Sequence, residues 1–429
     1  MKHFNTILAI VLLACFMVTP LRSQTATQQT VSASKTPDIL TLESATELFL
    51  KRNLSLEAAR LEINVAEAEK IGARLRPRPG VTISAENLQL TGPTPFNRLY
   101  ETGLTVTQPF ELGGQQKLRM ELADRTVKVA EAQLTNVLRA RLFELKRTYY
   151  EALLANELLI IEEETRAGFT ELLRFNTVRF QEGYIAEGEV IKVRLERIKF
   201  DSAVANSSLS LKQAKIRLLE MLGESDFACL ESLEVRGVLR FEEFPLDLTM
   251  IRENALNNRT DIKVLEAALV LTEVSVKLER ARGKGEVVPY VGYKRVGVDN
   301  AVLAGVTVPL PFGNRNQGGI ARAEAEQRVA EANLRIVCNR AIAEVESMYR
   351  AYETAREQVR AYEVGILKQA DESRDISLFS YREGVAELIT LLDAQRTRTE
   401  IRANYYRALM AYYTSLFQLE LATGTNITR

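Results

Sequence analysis

Side chains able to do acid–base, nucleophilic or metal chemistry are sparse in this sequence. There is one histidine, His3, in a leader-like segment expected to be removed, and there is no tryptophan. The three cysteines, Cys15, Cys229 and Cys338, stand too far apart to form a C-x-x-C metal or redox motif. Without such ligands a Cys/His metal site has no starting point. Cys15 falls in the leader, and Cys229 and Cys338 are expected to stay unpaired. Neither a G-x-S-x-G elbow nor a phosphate-binding P-loop occurs, so hydrolase and nucleotidase readings fail as well. What remains is charge. Lys plus Arg and Asp plus Glu each number 56, a formal net charge of zero, which gives the chain as a whole no pull toward nucleic acid or anionic lipid. Most carboxylates sit among basic residues at helical spacing and read as solvated faces or i,i+4 pairs. The expectation is a protein that is not an enzyme and uses no cofactor.

The elements that would position these charges form a tandem repeat of about 200 residues. Leu56-Glu57-Ala58-Ala59 recurs as Leu265-Glu266-Ala267-Ala268, and Pro79 before one strand matches Pro289 before another. G-L-T-V-T-Q-P-F from Gly103 to Phe110 matches G-V-T-V-P-L-P-F from Gly305 to Phe312. Phe180-Gln181-Glu182-Gly183 matches Tyr381-Arg382-Glu383-Gly384, and Leu222-Gly223 matches Thr423-Gly424. Each copy reads as a helix, two strands, then two very long helices. In the first copy the helix near 54–75 is stopped by Arg76-Pro77-Arg78-Pro79. Between Gln115 and Gln181 there is no proline and one glycine, Gly168, while Ala and Leu recur at three- and four-residue steps. That pattern predicts coiled-coil or bundle helix, a rod of roughly 100 Å at 1.5 Å per residue.

The strands alternate at period two. Val81 to Glu86 and Leu104 to Gln108 alternate apolar with polar, and Val302 to Val308 keeps apolar residues at even positions. Tyr290 to Val298 alternates less cleanly, which suggests a bulge. Segments of this kind fit a membrane barrel with one face in lipid and one in water, or a small soluble sheet capping the helices. Four strands cannot close a barrel, and an open edge in lipid leaves backbone groups unpaired at several kcal/mol each. Subunits must then share one barrel. Two copies would give about eight strands with a filled interior, whereas three give about twelve and can enclose water. Hence the expected fold class: mainly α with a small membrane β-barrel contribution, assembled as a homotrimer.

At the start, Lys2 followed by the apolar run Ile7 to Val18, with Pro20 behind it, reads as a secretory signal cut before Gln24. Leu12-Leu13-Ala14-Cys15 also resembles a lipoprotein box, but the residues after Cys15 stay apolar, which favours simple cleavage. The expected organisation is a signal peptide over 1–23, a flexible segment over 24–40, a first copy over 41–240, a second over 241–424 and a tail over 425–429. Strands are expected near 79–90, 101–110, 287–298 and 301–310, and long hairpins near 113–222 and 319–423. Gly113-Gly114 and Gly318-Gly319 would turn each strand into its helix, Pro109, Pro309 and Pro311 would end the strand ladders, and Gly183 and Gly384 would allow the hairpins to reverse.

Over essentially the whole mature chain these residues resemble the TolC-like outer membrane factor family. Q-P-F-E-L-G-G from Gln108 to Gly114, with Lys117 and Arg119, is similar to the barrel-to-helix junction of its cobalt-zinc-cadmium (CzcC-like) branch, and P-L-P-F-G-N-R-N-Q-G-G from Pro309 to Gly319 is the counterpart in the second copy. Y-R-E-G-V-A-E-L-I-T-L-L-D-A-Q-R-T from Tyr381 to Thr397 resembles the family's periplasmic tip and returning helix. The resemblance implies a homotrimer with a twelve-strand barrel in outer-membrane lipid and an α-helical tunnel in the periplasm. It further implies a passive duct that receives substrate from an inner-membrane RND pump through a periplasmic adaptor (membrane fusion) protein. Divalent heavy-metal cations are the expected cargo, with drugs or other small molecules as the alternative. The hairpin tips, Gly183 and Tyr184 with Gly384 and Val385, would dock the adaptor. Tyr381 and Asp393 fall on positions that match gate and constriction residues, and Glu387 lies one turn from the tip. Ala386 stands where the family has a gate arginine and Thr390 where it has a second acidic residue, so the constriction would be less acidic than the family pattern. A periplasmic adaptor or a helical scaffold is the competing class, but an adaptor has one hairpin flanked by β-rich domains, and this chain has two hairpins and few strands.

Overall fold

The computed structural model describes residues 38–427, apart from 89–90, 92, 94–97, 99 and 311. The expected signal peptide and Pro311 therefore lie outside the described residues. The chain begins with a short strand β1 (Ile39–Leu40) and two helices, α1 (Leu42–Arg52) and α2 (Leu54–Arg74). Strands β2 (Gly80–Glu86), β3 (Glu101–Thr107) and β4 (Phe110–Glu111) follow, then α3 (Gln115–Gln181), α4 (Glu187–Met221) and β5 (Glu234–Val235). The second copy repeats the plan with α5 (Leu248–Asn258), α6 (Thr260–Arg282), β6 (Glu286–Val296), β7 (Asp299–Thr307) and α7 (Gln317–Ala361). A π-turn over Tyr362–Ile366 then leads into α8 (Leu367–Arg382), and α9 (Leu388–Thr423) returns.

Each copy opens with two helices where the composition suggested one. Thr41 caps α1 in a reciprocal box with Ser44, and Asn53 both ends α1 and accepts the amides of Ser55 and Leu56 to start α2. In the second copy Asp247 caps α5 by accepting the Thr249 amide at 2.7 Å, and Arg259 ends α5 and opens α6 without a side-chain cap. The 67-residue α3 has no break, whereas its counterpart is interrupted by the π-turn, which a helical periodicity does not reveal.

The sheet is antiparallel in the order β2-β3-β6-β7, with β4 added along β6. The register of β6 with β3 and β7 runs unbroken, so the expected bulge is absent from that stretch. The imperfect alternation has another cause. Tyr290, like Leu303 and Val296, falls on the face that carries Thr105 and Thr107, where its ring covers Gly305, its register partner. Proline also behaves differently from expectation. Pro289 lies inside β6, not before it, and the ladder continues past Pro109 through Phe110↔Val287 and Glu111↔Glu286. Gln108 donates its amide to the Pro289 carbonyl at 3.2 Å, so the next residue's missing N–H falls on the opposite side, beyond the end of β2, and costs this ladder nothing.

The helical part is held by clusters of buried side chains. Phe49, Tyr149, Leu218 and Leu222 anchor the first copy, and Tyr352, Tyr412, Leu416 and Phe417 the second; full burial of each contributes about 1.5–3 kcal/mol. The linker between the copies, 236–246, is extended and belongs to no sheet. Its alternate carbonyls are taken up by tyrosines instead: Tyr149 donates to Arg236, Tyr413 to Arg240, Tyr412 to Glu242, Tyr352 to Phe244 and Tyr349 to Leu246. Burial raises the pKa of Tyr149, Tyr352, Tyr412 and Tyr413, so these hydroxyls remain protonated donors at any physiological pH.

Candidate gate and membrane face

The register sorts the sheet residues into two faces. One carries Val81 and Ile83, Leu104 and Val106, Val291 and Tyr293, Val302 and Val306. All eight are exposed, up to 77% for Ile83 and 80% for Val302. The other carries Thr82, Ser84, Thr105, Thr107 and the glycines 103, 292 and 305. Glu86 and Glu101 stand directly opposite one another there, and both carboxylates are bound by Lys294. A continuous uncovered apolar face is rare on a monomeric soluble protein and marks an interaction or membrane surface, and paired charges on the reverse face mark the wet side. Among the described residues, the outer edges of β2 and β7 have no neighbouring strand. Among the described residues no helix is long and apolar enough to cross a membrane.

At the far end of the hairpins the two copies meet around Tyr381. Its side chain is buried at 3% exposure among Phe169, Leu172, Val193, Leu388, Leu391 and Leu392. The hydroxyl lies 2.9 Å from the Glu189 carboxylate and 3.0 Å from Asn176 Oδ1. One hydroxyl proton cannot serve both acceptors, and the charged one has the stronger claim. Burial, and then Glu189, push the Tyr381 pKa up to about 12. Asn176 is fully buried and its amide nitrogen has no hydrogen-bond partner among the described residues, a cost of about 1–3 kcal/mol that an end-for-end turn of the amide toward Tyr381 would relieve. Arg179 closes the cluster by donating to the Tyr381 carbonyl at 3.4 Å with its guanidinium over the Tyr381 and Phe175 rings. A second link between the copies joins Arg396 to Glu196, which also accepts Lys199 at 2.8 Å. Burial would raise the Glu196 pKa, but the Lys199 and Arg396 bonds outweigh it and the net shift is downward.

The structure separates the expected site residues. Tyr381 is locked inside, whereas the Asp393 side chain is 67% exposed and only loosely paired with Arg396 at 3.9 Å. Glu387 is exposed and forms the N-cap of α9 without a side-chain bond. Gly183 and Gly384 both take left-handed φ in the tip turns, and Tyr184 and Val385 beside them are 72% and 84% exposed. Gly113 and Gly114 make the turn into α3 with φ near +73° and +74°. Gly318 and Gly319 do not make the equivalent turn. They are helical, inside α7, and the left-handed residues are Gly313 and Asn316, with the Asn316 amide tied to the carbonyl and carboxylate of Glu279. Glu189, Asn176, Arg179 and Glu196 carried no motif in the sequence; they join Tyr381 or Arg396 only through contacts spanning some two hundred residues.

Two long helical hairpins ending in a locked tip, with an apolar-faced open-edged sheet at the other end, define a subunit of a barrel-and-tunnel channel of the outer membrane. The chain belongs to the outer membrane efflux protein family, whose model matches residues 45–224 and 251–425. It is 25% identical over 393 residues to the cobalt-zinc-cadmium resistance protein CzcC of Cupriavidus metallidurans, covering 90% of each chain. It is 26% identical to the nickel and cobalt resistance protein CnrC of the same organism over 67% of each. Among solved structures it shares the fold of the Campylobacter jejuni CmeC outer membrane channel, with a TM-score of 0.74 at 16% identity over 89% of this chain and 85% of that one. The protein is thus an outer-membrane efflux channel component whose helical part extends into the periplasm.

Proposed function

We propose that three copies pool their strands into one barrel of about twelve and their hairpins into one tunnel. The duct passively exports divalent heavy-metal cations delivered by an RND pump through a periplasmic adaptor docked on the Tyr184 and Val385 tips. The observation that carries the membrane reading is the exposed apolar face from Val81 to Val306, whose open edges at β2 and β7 require neighbouring strands. The cargo rests on the metal-resistance roles named for CzcC and CnrC. Tyr381, held by Glu189, keeps the tip closed, and Asp393 supplies negative charge at the constriction.

Fractionation tests the duct itself: recovery from the soluble periplasm without detergent would overturn it. A deletion strain challenged with zinc, cobalt, nickel, cadmium and a drug panel tests the cargo. Sensitivity confined to drugs would replace metal ions with organic solutes in the same architecture.

A further inference from the structure

The two ends of the sheet differ in charge. In the segments joining strands to helices, 74–79, 111–119, 280–286 and 313–317, nine basic residues stand against two acidic ones, although the whole chain is neutral. At the hairpin end Glu86, Glu101 and Asp299 are balanced by Arg98, Lys294 and Arg295. One of the two acids in the basic band, Glu111, is bound by Arg119. Arg74, Arg76, Arg78, Lys117 and Lys284 are exposed and make no side-chain ion pair among the described residues. The band lies where the apolar face ends. Phe110 shares that face through its register with Val287 and is 49% exposed, and Leu310 and Phe312, just beyond β7, are 68% and 83% exposed.

Exposed aliphatic and aromatic groups bordered by unpaired cations suit the boundary between acyl chains and phosphate headgroups. The apolar groups stay in hydrocarbon, and each cation is attracted to an anionic lipid surface. We infer that this band docks on the phosphate headgroups of the leaflet nearest the helical tunnel, prefers anionic over zwitterionic phospholipid, and fixes the depth at which the barrel sits. The inference rests on the membrane reading above and adds the lipid chemistry.

The test reconstitutes the full-length protein into vesicles of phosphatidylcholine alone or with roughly one third phosphatidylglycerol, and counts retained lipids by native mass spectrometry. The wild type should retain phosphatidylglycerol several-fold above its share, and about 1 M salt should erase the enrichment by screening. The combined variant R76Q/R78Q/K284Q should insert and conduct but lose it. Undiminished enrichment in that variant overturns the inference, as does a variant altered only in ion selectivity, which would place the band in the lumen. A wild type that inserts and conducts without lipid preference overturns this inference alone. A wild type that enters neither vesicle overturns the membrane reading and this inference with it.

Discussion

The Tyr381 hydroxyl and the Glu189 carboxylate, 2.9 Å apart, join the last turn of one hairpin's outbound helix to the first turn of the other hairpin's return helix. This charge-assisted hydrogen bond, set against an apolar cluster, is one of the contacts that fasten the two copies of the repeat at the tip. Removing the hydroxyl by Tyr381→Phe should cost the closed state about 1.5–3 kcal/mol, a shift of about 10- to 100-fold toward open. Planar-bilayer recordings read this as a rise in open probability. Conductance equal to wild type would remove Tyr381 from the gate.

Acid should leave the second link intact over the range a bacterium meets. Glu196 has a folded pKa below its ordinary value, so its contribution is present above the ordinary carboxylate range and disappears only as pH falls through the lowered value. Open probability should therefore stay flat from pH 8 to pH 5 and rise only once the pH falls below the ordinary carboxylate range. Glu196→Gln should abolish that acid limb. A wild-type transition already complete at pH 6 contradicts this assignment.

Selectivity offers a separate readout. Asp393 is exposed and loosely paired, free to act on passing ions. Asp393→Asn should lower the cation-over-anion permeability ratio and leave single-channel open time unchanged; an unaltered ratio refutes its role.

The two faces of the sheet should tolerate charge differently. Val302→Arg, on the apolar face, should cost about 2–4 kcal/mol near the membrane midplane and deplete the protein from the outer-membrane fraction. Thr82→Arg, on the polar face, should assemble normally. Equal assembly of both variants would mean that the apolar face is not in lipid.

Gly424 has φ of +66°, and an added Cβ would collide with the Asn258 carbonyl oxygen. Gly424→Ala should cost about 1–3 kcal/mol or more, seen as a lowered Tm. Gly183 has a similar φ but open space around it, so Gly183→Ala should cost less.

The sequence disclosed whatever repeats locally. The length of α3 follows from an uninterrupted run of helix formers, and the faces of the sheet from alternation along β2, β3 and β7. The split between α1 and α2 was hidden because Asn53 acts as stop and start within a single residue. Gly318 and Gly319 look like turn residues, but the turn into α7 is made before them, with the left-handed conformation taken by Asn316, which its bonds to Glu279 hold in place. The partners of Tyr381 were illegible for a different reason: a glutamate and an asparagine two hundred residues away have no periodicity that points to it.

The extended stretch joining the two copies is gripped twice, through its carbonyls and through Leu239, Phe241 and Phe244, which pack into the core of the second copy. Tyr149 from the first half holds it at Arg236, and Tyr413 from the second half holds it at Arg240, with Val238 standing 73% exposed between them. A chain severed at Val238 would keep both new ends fastened. The two halves could then be made as separate polypeptides and still find each other.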